Sequence, residues 1–291
     1  MASGVALIIP SLDGQLDALL TSVAIQTLQP DEVEIVRAVR PNGRARNLGV
    51  ARSQAPILVF VDDDAVLGNQ YVLERLVAAL ADESLGMVGA SKLLPPNAPA
   101  FQRWVARELP RIEHAVVDQP LESNPDPPSF YCEITTTCCA MRRAVFEQAG
   151  GFDERLVRGV DTEFFVRVRR MAAPERVGGH YRFVLVPQTW AYHPAPASLM
   201  ALLRKQFWYG AGHAQEVRRD ATRARGRQLH TPAHAIAFVL LRTLILPLNV
   251  FVPYSYAAPS WRPGFKPLKA LASYVSALGY VWGWYRLSSE F

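Results

Sequence analysis

The stretch ILVFV, Ile57 to Val61, is a run of apolar residues with no polar residue between them, and it limits the possible folds more than any other part of the chain. A strand has this composition when helices cover both faces of its sheet, as in parallel α/β sheets. The run from Val5 to Ile9 has the same character, and a segment with apolar residues at helical spacing follows it. We therefore predict an α/β fold with a mostly parallel central sheet flanked by helices.

Three consecutive aspartates, Asp62, Asp63 and Asp64, follow this run directly. In open α/β sheets ligands bind beyond the carboxyl ends of the strands, so these aspartates occupy a position typical of a binding site. Divalent cations prefer carboxylate oxygens, and Mg²⁺ commonly combines one or two carboxylates with substrate phosphates. A solvated acidic turn, or a helix cap formed by Asp64, is an equally good explanation of these three residues alone.

Four segments of the chain follow one another in an order and at a spacing that match a known enzyme family. They are ALIIPSLD, GRARNLGVARSQAPILVFVDDDAVL, AMRRAVFEQAGGFDERLVRGVDTEFFVRVRR and WAYHP. On these motifs the chain from about Val5 to Gly212 resembles the bacterial family 2 glycosyltransferases, which have the GT-A fold. The resemblance implies that Asp62 and Asp64 hold Mg²⁺ or Mn²⁺ on the diphosphate of a nucleotide sugar, and that Asp63 faces the sugar or the ribose.

The same resemblance points to further residues around the donor. Pro10, at the end of the first strand, would lie on the nucleotide side, and Arg46 and Asn47 in GRARNLG would help to close the nucleotide pocket. Arg46 is also explained as a solvated loop charge. His193 in WAYHP would contact the metal or the phosphate, although a lone histidine is more often a structural hydrogen-bonding group.

Two observations bear on donor choice. Arg204 and Lys205, in LLRKQFWYGAGHA, offer charge-assisted contacts to a pyrophosphate, but the Arg-Trp order of processive family members is absent, so polymer synthesis is not predicted. Family members commonly carry an aspartate for uracil after the second strand, whereas this chain has no carboxylate between Glu34 and Asp62. UDP-, GDP- and dTDP-sugars are therefore all candidate donors.

Asp161 is the candidate catalytic base. Inverting glycosyl transfer needs a group that takes the proton of the acceptor hydroxyl. By resemblance Asp161 matches the second residue of the family's acidic pair, whose first position is Val160 in this chain. A helix cap is the simpler alternative for Asp161. The segment CEITTTCCAMRRAVFEQAGGF resembles the family's acceptor wall, without a role for any single threonine.

Composition argues against several classes of protein. A net charge of +5 and a pI near 9.2 suit phosphate ligands or an anionic membrane but are too modest for nucleic acid, for which the chain has no binding motif. Cys132, Cys138 and Cys139 lack the spacing of a zinc site or a disulfide framework, so we predict reduced core thiols. The first residues lack the features of a signal peptide, and we expect a cytoplasmic location.

Residues 213–291 differ in composition from the rest of the chain. Two runs, AIAFVLLRTLILPLNVFVPY and LKALASYVSALGYVWGWYRL, are apolar, but Arg242, Pro247 and Asn249 interrupt the first, which falls short of a membrane span. The basic run EVRRDATRARGRQLH and the aromatic residues are typical of helices in the headgroup region of an anionic membrane. Helices that pack on the protein itself give the same pattern.

We therefore expect a GT-A domain at 1–212, with a nucleotide-sugar half to about 115 and an acceptor half at 116–212. A helical extension at 213–291 would contact the inner face of the cell membrane. The predicted function is metal-dependent, inverting transfer of one sugar from a nucleotide-diphosphate sugar to an acceptor hydroxyl, which at a membrane includes lipid-linked acceptors. The alternatives are a catalytically inactive membrane scaffold and a nucleotidyltransferase, although the first strand lacks a following Gly-rich loop for a triphosphate.

Overall fold

The computed structural model describes residues 4–12, 14–109, 112–124, 134–173, 179–220, 228–251 and 264–287. Strands and helices alternate along most of this length. The strands are β1 (Val5–Ser11), β2 (Glu32–Arg37), β3 (Ile57–Val61), β4 (Val66–Leu67), β5 (Leu85–Leu93), β6 (Leu121–Ser123), β7 (Cys138–Arg142) and β8 (Arg182–Tyr192). The helices are α1 (Asp17–Ala24), α2 (Asn42–Arg52), α3 (Val72–Ala79), α4 (Ala100–Glu108), α5 (Arg143–Gln148), α6 (Val160–Arg170), α7 (Leu199–Arg219), α8 (Pro232–Leu244), α9 (Leu246–Asn249) and α10 (Pro267–Arg286).

These strands form one sheet in the order β2-β1-β3-β7-β5-β8-β4, with β6 also paired to β8. Strand β1 is parallel to β2 and β3, and β5 is parallel to β8. The four other pairings among the described residues are antiparallel, because β7 runs against both of its neighbours and β8 against β4 and β6. The α/β class is confirmed, and the first three strands are parallel as predicted, but the sheet as a whole is mixed.

Strand β1 carries the chain to the carboxyl edge of the sheet. All seven of its residues are buried, and it pairs with β3 as far as Ile8, opposite Phe60. Its pairing with β2 continues to Ser11, opposite Arg37. Pro10 has no N–H and lies beyond the last pairing with β3, where it interrupts no bond to that strand. The strand therefore extends past the proline to Ser11, two residues further than the sequence analysis indicated.

Strand β3 lies at the centre of the core. Its residues Leu58 to Val61 are completely buried, as predicted for a strand covered on both faces. The ring of Phe60 packs against Phe146 after β7 and edge-on against Phe152, with centroid distances of 5.9 and 5.3 Å. Close packing on both sides leaves β3 little freedom, so the residues that directly follow it are held on a rigid support.

Contacts divide the chain into two compact units. The first comprises 1–97, 111–154 and 160–194, and the second comprises 98–110, 155–159 and 195–291. The predicted boundary at residue 212 lies within α7, and the division of the chain at that point stays a prediction.

In the second unit α7 and α10 approach each other through glycines. A Cβ atom at Gly210 would lie 1.9 Å from the Ser276 carbonyl oxygen, and one at Gly279 would lie 2.0 Å from that of Phe207. The α10 backbone is also bound by α4, since the N–H of Lys269 donates to Glu108 Oε2 over 3.0 Å. None of the helices in the described ranges is long and apolar enough to cross a membrane.

Candidate active site

Asp62 directly follows β3, and side chains from two other elements bind its carboxylate. Arg46 Nη2, on α2, lies 2.8 Å from Asp62 Oδ1, and Thr137 Oγ1, just before β7, donates to Asp62 Oδ2 over 3.2 Å. The backbone N–H of Asp62 also donates to the Thr137 carbonyl over 3.2 Å. These bonds therefore fix the end of β3 to α2 and to the residue that precedes β7.

Arg46 is buried at this position. Its side chain is 5% exposed, compared with 23% for Asp62, and its guanidinium lies over the ring of Phe152 at 5.6 Å from the centroid. A buried charge is costly unless it is paired, and Asp62 supplies that pairing. Arg46 Nε is buried as well, without a hydrogen-bond acceptor among the described residues. Burial of this donor without an acceptor costs free energy, which the ion pair with Asp62 helps to offset.

Asp64, in the turn after β3, lies close to His193, which follows the end of β8. His193 Nε2 lies 3.3 Å from Asp64 Oδ1, and the backbone N–H of His193 donates to the Leu93 carbonyl over 2.8 Å. One ligand atom from each of Asp62, Asp64 and His193 lies within 4.8 Å of the others. Two carboxylates and an imidazole are a donor set that divalent cations such as Mn²⁺ accept, and the carboxylates also suit Mg²⁺. The structure thus brings the three predicted ligands together, and their binding of a metal stays a prediction.

Asp63 faces the loop that follows β1. A Cβ atom at Gly14 would lie 2.3 Å from Asp63 Oδ2, so a larger residue at Gly14 would displace this carboxylate. The Gly14 N–H donates to Ser11 Oγ over 3.2 Å. Ser11 and Asp63 therefore border the same loop, and the buried Pro10 precedes it. Contact of Pro10 and Asp63 with a nucleotide stays a prediction.

Asp161 lies in the first turn of α6 and is partly exposed. Its Oδ1 accepts a hydrogen bond from the Thr162 N–H over 2.9 Å. The preceding Val160 is buried, and a Cβ atom at Gly43 would lie 2.8 Å from Val160 Cγ1, so the starts of α6 and α2 are in close contact. The apolar side chain of Val160 suits this buried contact with α2, where a carboxylate would lose its hydration.

Asn47, the neighbour of Arg46 on α2, binds the loop that leads toward α6. Its Oδ1 accepts from the Phe152 N–H over 2.9 Å, and its Nδ2 donates to the Phe152 carbonyl over 2.8 Å. Nδ2 also donates to Glu154 Oε1 over 2.9 Å. The structure therefore gives Asn47 a role in holding this loop, while its predicted part in closing the nucleotide pocket stays a prediction.

The two adjacent thiols are buried and free, as predicted, and Cys132 lies outside the described residues. Burial raises the pKa of Cys138 to about 12 and that of Cys139 well above its ordinary value. The charges of Arg46, Asp62 and Asp161 all act on the pKa of Cys139. Both thiols therefore keep their protons at neutral pH.

Arg204 and Lys205 lie on α7, in the second compact unit. Arg204 is exposed and Lys205 is half-buried. Their contact with a donor diphosphate stays a prediction.

Sequence reasoning did not single out Thr137 or Gly14. Thr137 is one of three consecutive threonines, and β-branched residues are so common near strands that the pattern gave no reason to choose one. Gly14 follows the end of β1, where a glycine usually signals only a turn. Their importance is visible only in the folded chain, where Thr137 lies against Asp62 and Gly14 lies against Asp63.

Comparison with known proteins places these features in a family. A family model described as "Glycosyltransferase like family 2" matches residues 5–211, more than half of the chain. The chain belongs to this family. It is therefore a glycosyltransferase of the GT-A fold, which confirms the fold and the enzyme class predicted from the motifs.

Among curated proteins, this family 2-like glycosyltransferase is similar to the O-antigen biosynthesis protein RfbC of Myxococcus xanthus. The two are 24% identical over 163 residues, which are 53% of this chain and 12% of RfbC. The chain thus spans only a small part of the length of this relative.

Two solved structures are also similar. The mannosyltransferase PcManGT from Pyrobaculum calidifontis, solved with GDP-Man and Mn²⁺, has 15% identity and a TM-score of 0.57 over 96% of this chain and 87% of its own. S. aureus TarS 1–349, solved with UDP, has 13% identity and a TM-score of 0.48 over 97% of this chain and 90% of its own. The likeness to PcManGT concerns the fold.

Proposed function

We propose that this glycosyltransferase is metal-dependent and inverting, and that it moves one sugar from a nucleotide-diphosphate sugar to an acceptor hydroxyl. The observation that carries the proposal is the convergence of Asp62, Asp64 and His193 within 4.8 Å at the end of β3. A glycosyltransferase of the same fold, PcManGT, was solved with a nucleotide sugar and Mn²⁺, which supports this combination of ligands.

The residues present fit a divalent cation. Asp62, Asp64 and His193 would hold Mg²⁺ or Mn²⁺, which supplies positive charge beside a leaving nucleoside diphosphate. Arg46 neutralises part of the Asp62 charge and holds its carboxylate in place. Asp63, against the loop after β1, would contact the sugar or the ribose. Arg204 and Lys205 would provide further charge to the diphosphate.

Asp161 would act as the general base in a single displacement. The acceptor oxygen forms a bond to the anomeric carbon, the bond from that carbon to the diphosphate oxygen breaks, and the hydroxyl proton passes to the Asp161 carboxylate. The Thr162 N–H holds Oδ1 by a hydrogen bond, which leaves Oδ2 for the acceptor. The packing of Val160 against Gly43 fixes the start of the helix that presents Asp161.

The donor, the acceptor and the location belong to the same proposal. UDP-, GDP- and dTDP-sugars are the candidate donors, because the chain has no carboxylate between Glu34 of β2 and Asp62 to select uracil. We place the enzyme in the cytoplasm at the inner face of the cell membrane. An acceptor hydroxyl on a lipid-linked molecule would be within its reach there.

A thermal-shift panel tests the donor site. A ligand that binds only the folded protein raises the melting temperature, so one of the UDP-, GDP- or dTDP-sugars should do so with Mn²⁺ and lose the effect when EDTA is added. Asp64→Ala should abolish the Mn²⁺-dependent shift, whereas Asp17→Ala, an exposed aspartate on α1, should keep it. Unchanged donor affinity in Asp64→Ala would refute the metal site. A lack of binding and turnover with every donor would favour the inactive scaffold.

A further inference from the structure

The outer face of α8–α9 is apolar and exposed. We define it by Ile236, Leu240, Leu241, Leu244, Leu248 and Phe251, each of which is more than half exposed. Four of these residues recur every fourth position from 236 to 248, so they lie along one side of the helical run. Scattered exposed leucines are ordinary in a protein surface, whereas a contiguous apolar patch marks a binding surface.

The opposite side of α8 is buried and packs against α10. Ala235 and Arg242 are buried there, and the ring of Phe238 packs against Tyr280 of α10 at a centroid distance of 6.1 Å. The Arg242 guanidinium lies over the Phe238 ring at 5.3 Å. Arg242 is also the only charged residue between Ile236 and Phe251. A helix that faces water turns its charges outward and its leucines inward, so α8 is arranged for an apolar environment on its outer face.

Charge indicates what covers this face. Residues 213–291 contain ten Lys and Arg but three Asp and Glu, an excess of seven positive charges, whereas the whole chain has a net charge of +5. The other 212 residues are therefore slightly acidic. Like charge opposes the pairing of two such segments from two copies of the chain, and it favours an anionic surface.

A basic residue adjoins the end of the face. The backbone N–H of Lys266 donates to the Val250 carbonyl over 2.8 Å, and the rings of Phe251 and Phe265 lie 5.6 Å apart. Phe265 is itself strongly exposed. Aromatic rings and a lysine beside exposed leucines are the combination that anchors helices at the level of lipid headgroups.

We infer that the outer face of α8–α9 inserts into the headgroup region of an anionic lipid bilayer, with Lys266 at the end of this face toward the lipid phosphates. Helix α8 has 13 residues, about 20 Å, compared with about 30 Å for a hydrocarbon core, so it would lie along the surface. The inference rests on the membrane location given in the proposed function and deepens it, because it names the surface that binds lipid, and this surface needs neither donor nor metal.

Co-sedimentation of the full chain with vesicles tests this surface. One set of vesicles contains phosphatidylcholine alone and the other contains phosphatidylcholine with phosphatidylglycerol. The chain should bind the anionic vesicles more tightly, and added salt should weaken the binding. Leu240→Gln/Leu244→Gln should weaken it by roughly tenfold or more, because two leucines no longer enter the bilayer. The matched control is Ile25→Gln/Met200→Gln, which changes two exposed apolar residues outside the face and should bind like the parent chain.

Three outcomes of the vesicle assay would overturn the inference. They are binding of Leu240→Gln/Leu244→Gln equal to that of the parent chain, equal binding to both vesicle types, and binding to neither. If the parent chain sediments as a dimer that this variant dissociates, the face belongs to a second copy instead. Thermal unfolding of both variants checks that they are folded. The donor thermal shift without vesicles separates a failure here from a failure of the proposed function.

Discussion

At the scale of single residues, short contacts fix the charged groups of the candidate site. Asp62 is bound by Arg46 and Thr137, and Asp161 by the Thr162 N–H. Catalysis gains when such groups are already in place, because the reaction then spends no free energy on orienting them. A change of one or two atoms at the partly exposed Asp161 should therefore affect function more than folding.

Asp161→Asn tests the proposed role of Asp161 as the base. The amide keeps the size of the side chain but removes its capacity as a base, so turnover should fall by about 10²–10⁴-fold while the dissociation constant of the donor stays the same. The measurements are kcat with an acceptor and donor affinity by thermal shift. Asp17→Asn, in the first turn of α1, is the matched control and should be fully active. Retained transfer by Asp161→Asn would remove this residue as the base.

The buried thiols give a prediction about pH. Because burial raises the pKa of Cys138 to about 12, the folded chain should have roughly a thousandth of the thiolate of the unfolded chain at pH 8. In a Cys132→Ser variant, iodoacetamide should therefore react slowly with the native protein and rapidly in guanidinium chloride. The unfolded thiol loses its proton near pH 9 and the folded one near pH 12, so stability should fall as the pH rises between these values. Rapid alkylation of the native variant would contradict the burial.

Sequence reasoning was most specific for side chains that directly follow a strand. Asp62 and Asp64 were named from their place after an apolar strand, and His193 from the resemblance to the family, and the structure brings the three together. The pair of Arg46 and Asp62, 16 positions apart, and that of Asn47 and Phe152, 105 positions apart, could not be predicted in this way. Such contacts depend on how whole elements dock, which local pattern does not specify.

At the scale of elements, strand direction was the least predictable feature. An apolar run indicates a buried strand whichever way it runs, so the antiparallel entry of β7 between β3 and β5 could not be read from CCAMR. The close contact between α7 and α10 could not be predicted either, because glycines in a helical segment usually argue against a helix. Here they allow two backbones to meet.

Gly279→Ala tests that helix contact. Alanine favours a helix by about 1 kcal/mol, but its Cβ would lie 2.0 Å from the Phe207 carbonyl oxygen, and overpacking of this kind costs about 3 kcal/mol. The free energy of unfolding should therefore fall by about 2 kcal/mol in a denaturant titration. Gly264→Ala is the control, since a Cβ there meets nothing within 4 Å. An unchanged stability of Gly279→Ala would show that the two helices can move apart freely.

At the scale of the whole molecule, the second unit is assembled from three separate stretches of chain. Residues 98–110 belong to it, and the Lys269 N–H on α10 binds Glu108 of α4. Composition drew attention to 213–291 because that segment is basic and apolar. It could not show that the segment packs with helices from much earlier in the chain.

A chain that ends after residue 212 should therefore be unstable. The truncation divides α7 and removes α10, so the apolar side of α4 and the rest of α7 lose their packing partner. We expect a lower melting temperature and faster proteolysis between 98 and 110 than in the full chain, measured by calorimetry and by mass spectrometry of the fragments. A chain that ends after residue 287 is the control. Equal resistance of both truncations would make 1–212 a domain that folds by itself.

Helix α2 has a consequence for attempts to redesign this enzyme. Two successive residues on it reach in different directions, Arg46 to the carboxylate of Asp62 and Asn47 to the loop at Phe152. A shift of α2 would therefore move the carboxylate of Asp62, in the proposed donor site, together with the loop at Phe152 that leads toward the proposed base. Libraries that aim to change the sugar should keep α2 constant and vary loops attached to only one of these two regions.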